Sequence, residues 1–174
     1  MDLLIMESAN LFVGDHDPNA SLHLALSEIK LPTLEVETQE HSPGGASFKI
    51  DVPVGYAKME AGFKLTGWDP SVMAQFGYGS QDVRPFTAYG VLRSKLTGAA
   101  IQSKAVIQGI LGKTEPDAFK RGELQGFDHA IKGIVRYQLW QGGDELFFWD
   151  FFTNQLRIGG MDQNAQANAM LGIA

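Results

Sequence analysis

The chain has no cysteine, which excludes a disulfide framework and any thiolate metal site. It also lacks a basic surplus. Its 14 Lys and Arg stand against 20 Asp and Glu, a formal charge of −6, whereas a dedicated nucleic-acid binder carries a clear excess of positive charge. No stretch approaches the ~18 apolar residues of a membrane-spanning helix. The opening, MDLLIMESANLF, contains acidic residues and no Lys or Arg. A secretory signal needs a basic start, so none is expected and the protein is expected to be soluble.

Catalytic patterns are missing too. His16, His23, His41 and His129 are scattered, never at i, i+4 or HExxH spacing, and are expected as solvent-facing polar residues rather than metal ligands. Ser42, Ser71 and Ser103 lie in no Gly-x-Ser-x-Gly elbow. SPGG and GYGSQ are glycine turns without the spacing of a phosphate-cradling loop. Carboxylates such as Glu37 and Glu60 would need a shared pocket to work as acid and base, and a solvated strand face explains them better. No catalytic residue, metal or cofactor is expected.

What is present is alternation. Leu34, Val36 and Thr38 alternate with Glu35, Glu37 and Gln39, and Met59, Ala61, Phe63 and Leu65 with Lys58, Glu60 and Lys64. Period-two patterning predicts strands over Leu34–Glu40 and Ala57–Thr66, each with one buried and one wet face. The segment between them is longer than a hairpin requires, and such connections usually bind something. Within it Phe48, Ile50 and Val52 alternate with Ser47, Lys49 and Asp51, so part of it is expected to be extended. Further strands are predicted over residues 22–26, Phe86–Leu96, Ala100–Leu111 and Phe127–Leu139, the last as the longest. Thr97–Gly98 and Gln141–Asp144 mark hairpin turns. One short helix is expected where Asp69 caps, Pro70 opens, and Gly77 closes in a left-handed conformation.

At 174 residues and 44% hydrophobic content, the chain suits a single domain, 1–174, that buries roughly 70% of its extended surface. Residues 1–20 are expected as an N-terminal arm and 153–174 as a C-terminal segment. The pattern predicts a mainly β protein: an antiparallel sandwich or barrel with one short helix, an extended loop and terminal arms. ELFFWDFF places Phe147, Trp149 and Phe151 on one side, and Phe148, Asp150 and Phe152 on the other. A strand apolar on both faces needs cover on both, and an interface between subunits would supply the second.

Several of these stretches, taken in order, resemble the major tail tube protein of contractile-tailed bacteriophages, of which R-type pyocins carry a close relative. The marks are Leu31–Leu34 (LPTL), Gly44–Gly45, Met59–Glu60, the Asn-x-x-Arg-x-x-Gly-x-Asp pattern at Asn154–Asp162, and Leu171–Ile173. The resemblance implies a structural subunit of stacked hexameric rings, in which neighbouring sheets join into a ring-shaped β-barrel whose lumen conducts DNA. It implies a contact loop, Glu40, His41, Ser42, Pro43, Gly44 and Gly45, between subunits or rings; Pro43 would stiffen it, and both glycines permit positive φ. The polar faces carrying Glu35, Glu37, Gln39, Lys58, Glu60 and Lys64 are expected to line the lumen. Lys58 and Lys64 fit there if paired with carboxylates such as Glu60, and otherwise argue for an outward face. Implied partners are the chain itself, the tail sheath protein, baseplate and tail-terminator proteins, and tape-measure protein and DNA in the lumen. The implied location is the virion tail, built in the host cytoplasm. A pyocin-like injection device remains an alternative form. A ligand-binding β-barrel monomer would leave the long connection unexplained, and a carboxylate hydrolase would leave its missing catalytic groups unexplained.

Overall fold

The computed structural model describes residues 2–14, 16–45, 47–77 and 83–173. Among them the fold is mainly β, with strands β1 (Leu4–Val13), β2 (Leu26–Lys30), β3 (Val36–His41), β4 (Ile50–Tyr56), β5 (Ala61–Thr66), β6 (Arg84–Ser94), β7 (Ala100–Pro116), β8 (Gly126–Gln141), β9 (Asp144–Asp150), β10 (Gln155–Ile158) and β11 (Met161–Asp162). Helix α1 is Pro70–Met73 and helix α2 is Ala165–Leu171. Nine of the described strands form one antiparallel sheet in the order β1-β6-β7-β8-β9-β10-β11, with β5 also on β8 and β2 on β5. The other two, β3 and β4, pair only with each other. The large sheet does not close on itself.

The sheet forks at β8. Phe127–Ile131 of β8 pair with β5, whereas Arg136–Gln141 pair with β9. Between these halves the register of β7 against β8 slips, from Gln108↔Arg136 to Ile110↔Lys132. Gly133 takes up the extra length with φ +57°, which a side chain would resist. Opposite it, a Cβ on Gly109 would sit 2.8 Å from Ile131 Cγ2. The bulge lies between the two pairings, where β8 hands its other edge from β5 to β9.

Cross-strand registers align the core in rows. Val13, Phe86, Ile107, Tyr137, Trp149 and Leu156 lie opposite one another from β1 to β10. On the forked side, Ala61, Phe63 and Leu65 of β5 face inward, all at most 5% exposed. The phenyl rings of Phe63 and Phe86 lie 6.3 Å apart, so β5 covers the near end of these rows. Burial pushes the Tyr137 hydroxyl up to about 12.

Several expectations need correction. Residues 4–13 are a sheet strand rather than an arm, because Leu11 and Val13 are needed in the core, at 1% and 7% exposure. No strand forms over 22–26: Leu22 is buried but Leu24 is 90% exposed in a turn, and β2 begins at Leu26. The longest strand is β7, not β8. Asp69 does cap α1, its Oδ1 accepting from the Ser71 and Val72 amides at 2.9 and 3.4 Å. The helix stops at Met73, however, and Gly77 lies beyond it with φ +130°. GYGSQ falls largely on 78–82, outside the described residues. The turns at Gly98 and at Gly142–Gly143, with φ of +74°, +61° and +94°, are as expected.

Candidate assembly surface

The long connection is a hairpin that touches little else. β3 and β4 pair from Val36↔Tyr56 to His41↔Ile50, with a bulge after Glu37. Every residue of both strands is exposed. Residues opposite one another share a face, so Gln39 with Val52 and His41 with Ile50 line one side and Glu40 with Asp51 the other, while the alternation of β3 puts Val36 and its partner Tyr56, across the bulge, on the Glu40 side. Glu40 is bridged by Lys49 at 2.7 Å. Both sides are apolar in part, Ile50 and Val52 on one at 57% and 39% exposure and Val36 and Tyr56 on the other at 49% and 63%.

The predicted strands over Leu34–Glu40 and Ala57–Thr66 are therefore not partners on one face. β3 lies in the hairpin and β5 in the main sheet, because β8 occupies one edge of β5 and β2 the other. Glu37 lies opposite Gly55 rather than beside Glu60. Of the six polar residues assigned to one lining, Glu37 and Gln39 sit on the hairpin, Glu35 precedes it, Lys58 and Glu60 follow it, and Lys64 is on β5. Lys58 pairs with Glu60 at 3.0 Å. Lys64 reaches Asp117 at 3.0 Å and Asp128 at 3.3 Å. At the hairpin tip, Glu40–Gly45 is solvent-facing apart from a half-buried Pro43. Neither Gly44 nor Gly45 uses positive φ, and nothing lies within 4 Å of a Cβ built on either.

Where the hairpin joins the sheet, an open cleft of about 710 Å³ lies against the fork. Its walls include Leu34, Val36, Met59, Ile134, Trp149 and Leu156. Ile134, Met59, Trp149 and Leu156 belong to the core or pack against it, whereas Leu34 and Val36 come from the exposed hairpin base.

The aromatic strand is finished differently from expectation. Phe147 and Phe148 are both buried within the chain, at 9% and 6% exposure. Phe147 faces the core, and Phe148 lies under the Arg157 guanidinium, 3.7 Å from the ring centroid, with Arg136 at 5.9 Å. Glu145 holds Arg157 through two bonds of 2.8 and 3.1 Å, which lowers the Glu145 carboxyl below its usual range. Asp150, 3% exposed, accepts from Arg136 Nε at 2.6 Å and from the Phe152 and Thr153 amides at 2.9 and 3.1 Å. Burial alone would raise its pKa, but the Thr153 amide and Arg136 outweigh it and leave the value lowered. Trp149 is half-buried, and Phe151 and Phe152 lie past the strand in a turn, 62% and 76% exposed.

His129 departs from the solvent-facing expectation. It is 5% exposed, stacks on Phe63 at 4.8 Å and bonds Thr114 Oγ1 at 3.0 Å. Its position in the β5–β8 rows puts it there, and neighbours on paired strands lie beyond the reach of a single-strand pattern. Among the described residues no group of three His, Asp or Glu converges as metal ligands, and no helix is long and apolar enough to cross a membrane.

The C-terminal pattern is a set of structural contacts. Asn154 holds φ +50° and accepts the Asn164 and Asn168 side-chain amides at its carbonyl, at 3.0 and 3.1 Å. Arg157 covers Phe148. Gly159 and Gly160 turn β10 into β11, and Asp162 accepts from the Asn164 amide at 2.9 Å. Each residue of the pattern thus has a place in packing or a turn.

The family model for phage tail tube protein FII matches residues 5–172. The chain belongs to the phage tail tube protein FII family. It is a structural subunit of a tail tube. No curated protein sequence matches it. Among solved structures it is similar to a chain of an extracellular contractile injection system, the PVC sheath-tube complex in its extended state, seen by cryo-EM. That likeness has a TM-score of 0.54 at 8% identity, and covers 76% of this chain and 88% of the other. It is a likeness of fold. In the tail tube chain the exposed hairpin and the cleft at its base are features that the subunit leaves unfinished.

Proposed function

We propose that the chain assembles into hexameric rings that stack as the inner tube of a contractile tail. DNA travels along the lumen at ejection, and a sheath protein surrounds the tube. The observation that carries this reading is the β3–β4 hairpin, exposed along its whole length, with Ile50 and Val52 on one side and Val36 and Tyr56 on the other. A two-stranded hairpin is marginal in water unless something packs on its exposed apolar residues. A neighbouring subunit is the natural cover in a tube, and the tip Glu40–Gly45 reaches that subunit or the next ring. Phe151 and Phe152 join the same interfaces. β1 ends the sheet and, apart from the Leu11 carbonyl, which accepts from the Leu22 amide at 3.1 Å, offers its edge for joining the sheets of adjacent subunits into one barrel.

In this reading Glu35, Glu37, Gln39, Lys58, Glu60 and Lys64 face the lumen from separate elements. Each cation that engages a phosphate adds salt-dependent affinity and would brake moving DNA. The pairing of Lys58 with Glu60, and of Lys64 with Asp117 and Asp128, supports the assignment because neither lysine is left free for phosphate. The work is mechanical, with no catalytic step and no cofactor. Baseplate, tail-terminator and tape-measure proteins complete the partners, and assembly takes place in the host cytoplasm before the tube enters the virion. Electron microscopy of the purified protein tests the proposal. Hollow six-fold rings or tubes are expected, and a strictly monomeric species across a wide range of concentration and salt would overturn it.

A further inference from the structure

Helix α2 is inside out. A surface helix ordinarily buries an apolar stripe and exposes its polar side. Here the buried residue is Asn168, at 8% exposure, while Met170 and Leu171 stand 76% and 69% exposed, and Ile173 just beyond them 38%. Hydrogen bonds rather than apolar burial hold the helix down. Asn154 Nδ2 donates to Asn168 Oδ1 at 2.7 Å, and Asn168 Nδ2 donates back to the Asn154 carbonyl at 3.1 Å. The segment 163–173 carries no charged residue. Its apolar side is presented outward on a firm base, and Met170 and Leu171 are left uncovered by the described residues.

The cleft at the fork has the opposite defect. Its walls are largely apolar, joining Ile134, Trp149 and Leu156 of the sheet to Leu34 and Val36 of the hairpin base, and its four charged residues, Glu35 and Glu60 against Lys58 and Lys132, sum to zero, with Lys58 paired to Glu60 at 3.0 Å. An uncharged apolar segment suits it. The other exposed apolar terminus, Leu3, Ile5 and Met6, has Asp2 and Glu7 beside it, and a carboxylate carried against an apolar wall is costly. The chain's own α2 does not fill its cleft, since Met170 and Leu171 stand in solvent.

We infer that Met170, Leu171 and Ile173 of one subunit insert into the cleft between hairpin and fork of the next. This rests on the tube reading above and names two of the surfaces that meet. The two surfaces differ, so the contact is head-to-tail. Repeated contacts of that kind close into a ring or run on as a filament, as a tube requires.

The full-length protein carrying Met170→Asp and Leu171→Asp tests this. Its circular dichroism and melting should match the parent, because both side chains are exposed in the subunit. Its assembly threshold in light scattering should rise about tenfold or more, the scale set by losing the burial of two apolar side chains. Val36→Asp, on the cleft wall, should block assembly in the same way. Mixing the two variants should then give discrete dimers, since one intact cleft meets one intact tail and neither product can propagate. The absence of native cysteine permits a second readout: Val36→Cys mixed with Leu171→Cys should form a disulfide-linked heterodimer under mild oxidation. A tail variant that polymerises like the parent, or mixtures that give neither dimer nor cross-link, would overturn the docking while leaving the tube intact. A parent protein that never assembles would overturn both.

Discussion

The stretches Leu34–Glu40 and Ala57–Thr66, which hold most of β3 and all of β5, are written alike and end differently. Each alternates apolar and polar residues, and each predicts a strand with one dry face. In β5 the apolar set, Ala61, Phe63 and Leu65, is at most 5% exposed. In β3 Val36 stays 49% exposed and no residue of the strand is buried. The difference lies in the neighbours. β5 is bonded on both edges, by β2 and β8, and its inner face meets Phe86. β3 has only β4. Alternation reports that a strand is amphipathic, but the cover for its apolar side can come from another chain.

The comparison breaks hardest at the covered end. Phe63→Ala removes a ring packed against Phe86 and His129, and should cost about 3–5 kcal/mol in chemical denaturation. Val36→Ala should cost the isolated subunit no more than about 0.5 kcal/mol. Equal costs at the two positions would mean that the hairpin is packed within the subunit after all.

Next in size is Asp150, which ends β9 between the two regimes. Phe147 and Phe148 before it are sealed within the chain, and Phe151 and Phe152 after it are not. Asp150→Asn keeps the shape but loses the charged bonds to Arg136 and the turn amides, at about 2–3 kcal/mol in denaturant unfolding. The folded pKa is lowered, so the stabilisation holds at neutral pH and is lost as pH falls below the ordinary carboxylate range and through the folded value. A variant whose stability differs from the parent by the same amount in strong acid as at neutral pH would show that the charge is not what matters.

His129 gives a smaller, pH-tuned effect confined to the covered end. Burial lowers its pKa, against the opposing pull of Asp128 and Asp69. Once pH drops below about 6.5, the unfolded chain takes up a proton that the folded chain refuses, so stability falls between that value and the lower folded one. His129→Gln should flatten this part of the profile of denaturation midpoint against pH. An unchanged slope would assign the acid sensitivity to another group.

Much of the fold is legible in the sequence because strands and turns are local. The hairpin turns at Thr97–Gly98 and Gln141–Asp144, the Asp69 cap and the inward set of β5 all follow from a few adjacent residues. Pairing partners do not, because adjacency across a sheet is set by the whole topology. The fork at Gly133, the burial of His129 and the seating of residues 4–13 as a strand all depend on residues far away in sequence. The aromatic strand misleads for a related reason: Phe148 is covered by Arg157, whose aliphatic stem and flat guanidinium shield a ring as well as an apolar side chain does. The resemblance to tail tube proteins points to the family, whereas the isolation of the hairpin from the main sheet emerges only from the strand pairing.

The smallest effect on the subunit is also the most telling. Ile50→Thr and Val52→Thr together change two exposed hairpin residues, 57% and 39% exposed, to a polar type that is equally content in a strand. Neither touches the core rows, so the melting of the unassembled subunit should shift by no more than about 0.5 kcal/mol. If the apolar side of β4 packs against another subunit, the same pair should shorten or abolish tubes, because each loses buried apolar area only in the assembly. The two measurements must therefore diverge, with folding nearly unchanged and polymer mass sharply reduced in sedimentation. Tubes of parental length from this variant would mean that the hairpin is held by its tip, Glu40–Gly45, and that the apolar side of β4 serves only to keep the hairpin straight. Deleting His41–Gly45 in the same background then separates the two possibilities. If the tip alone anchors the hairpin, its removal should abolish the remaining tubes.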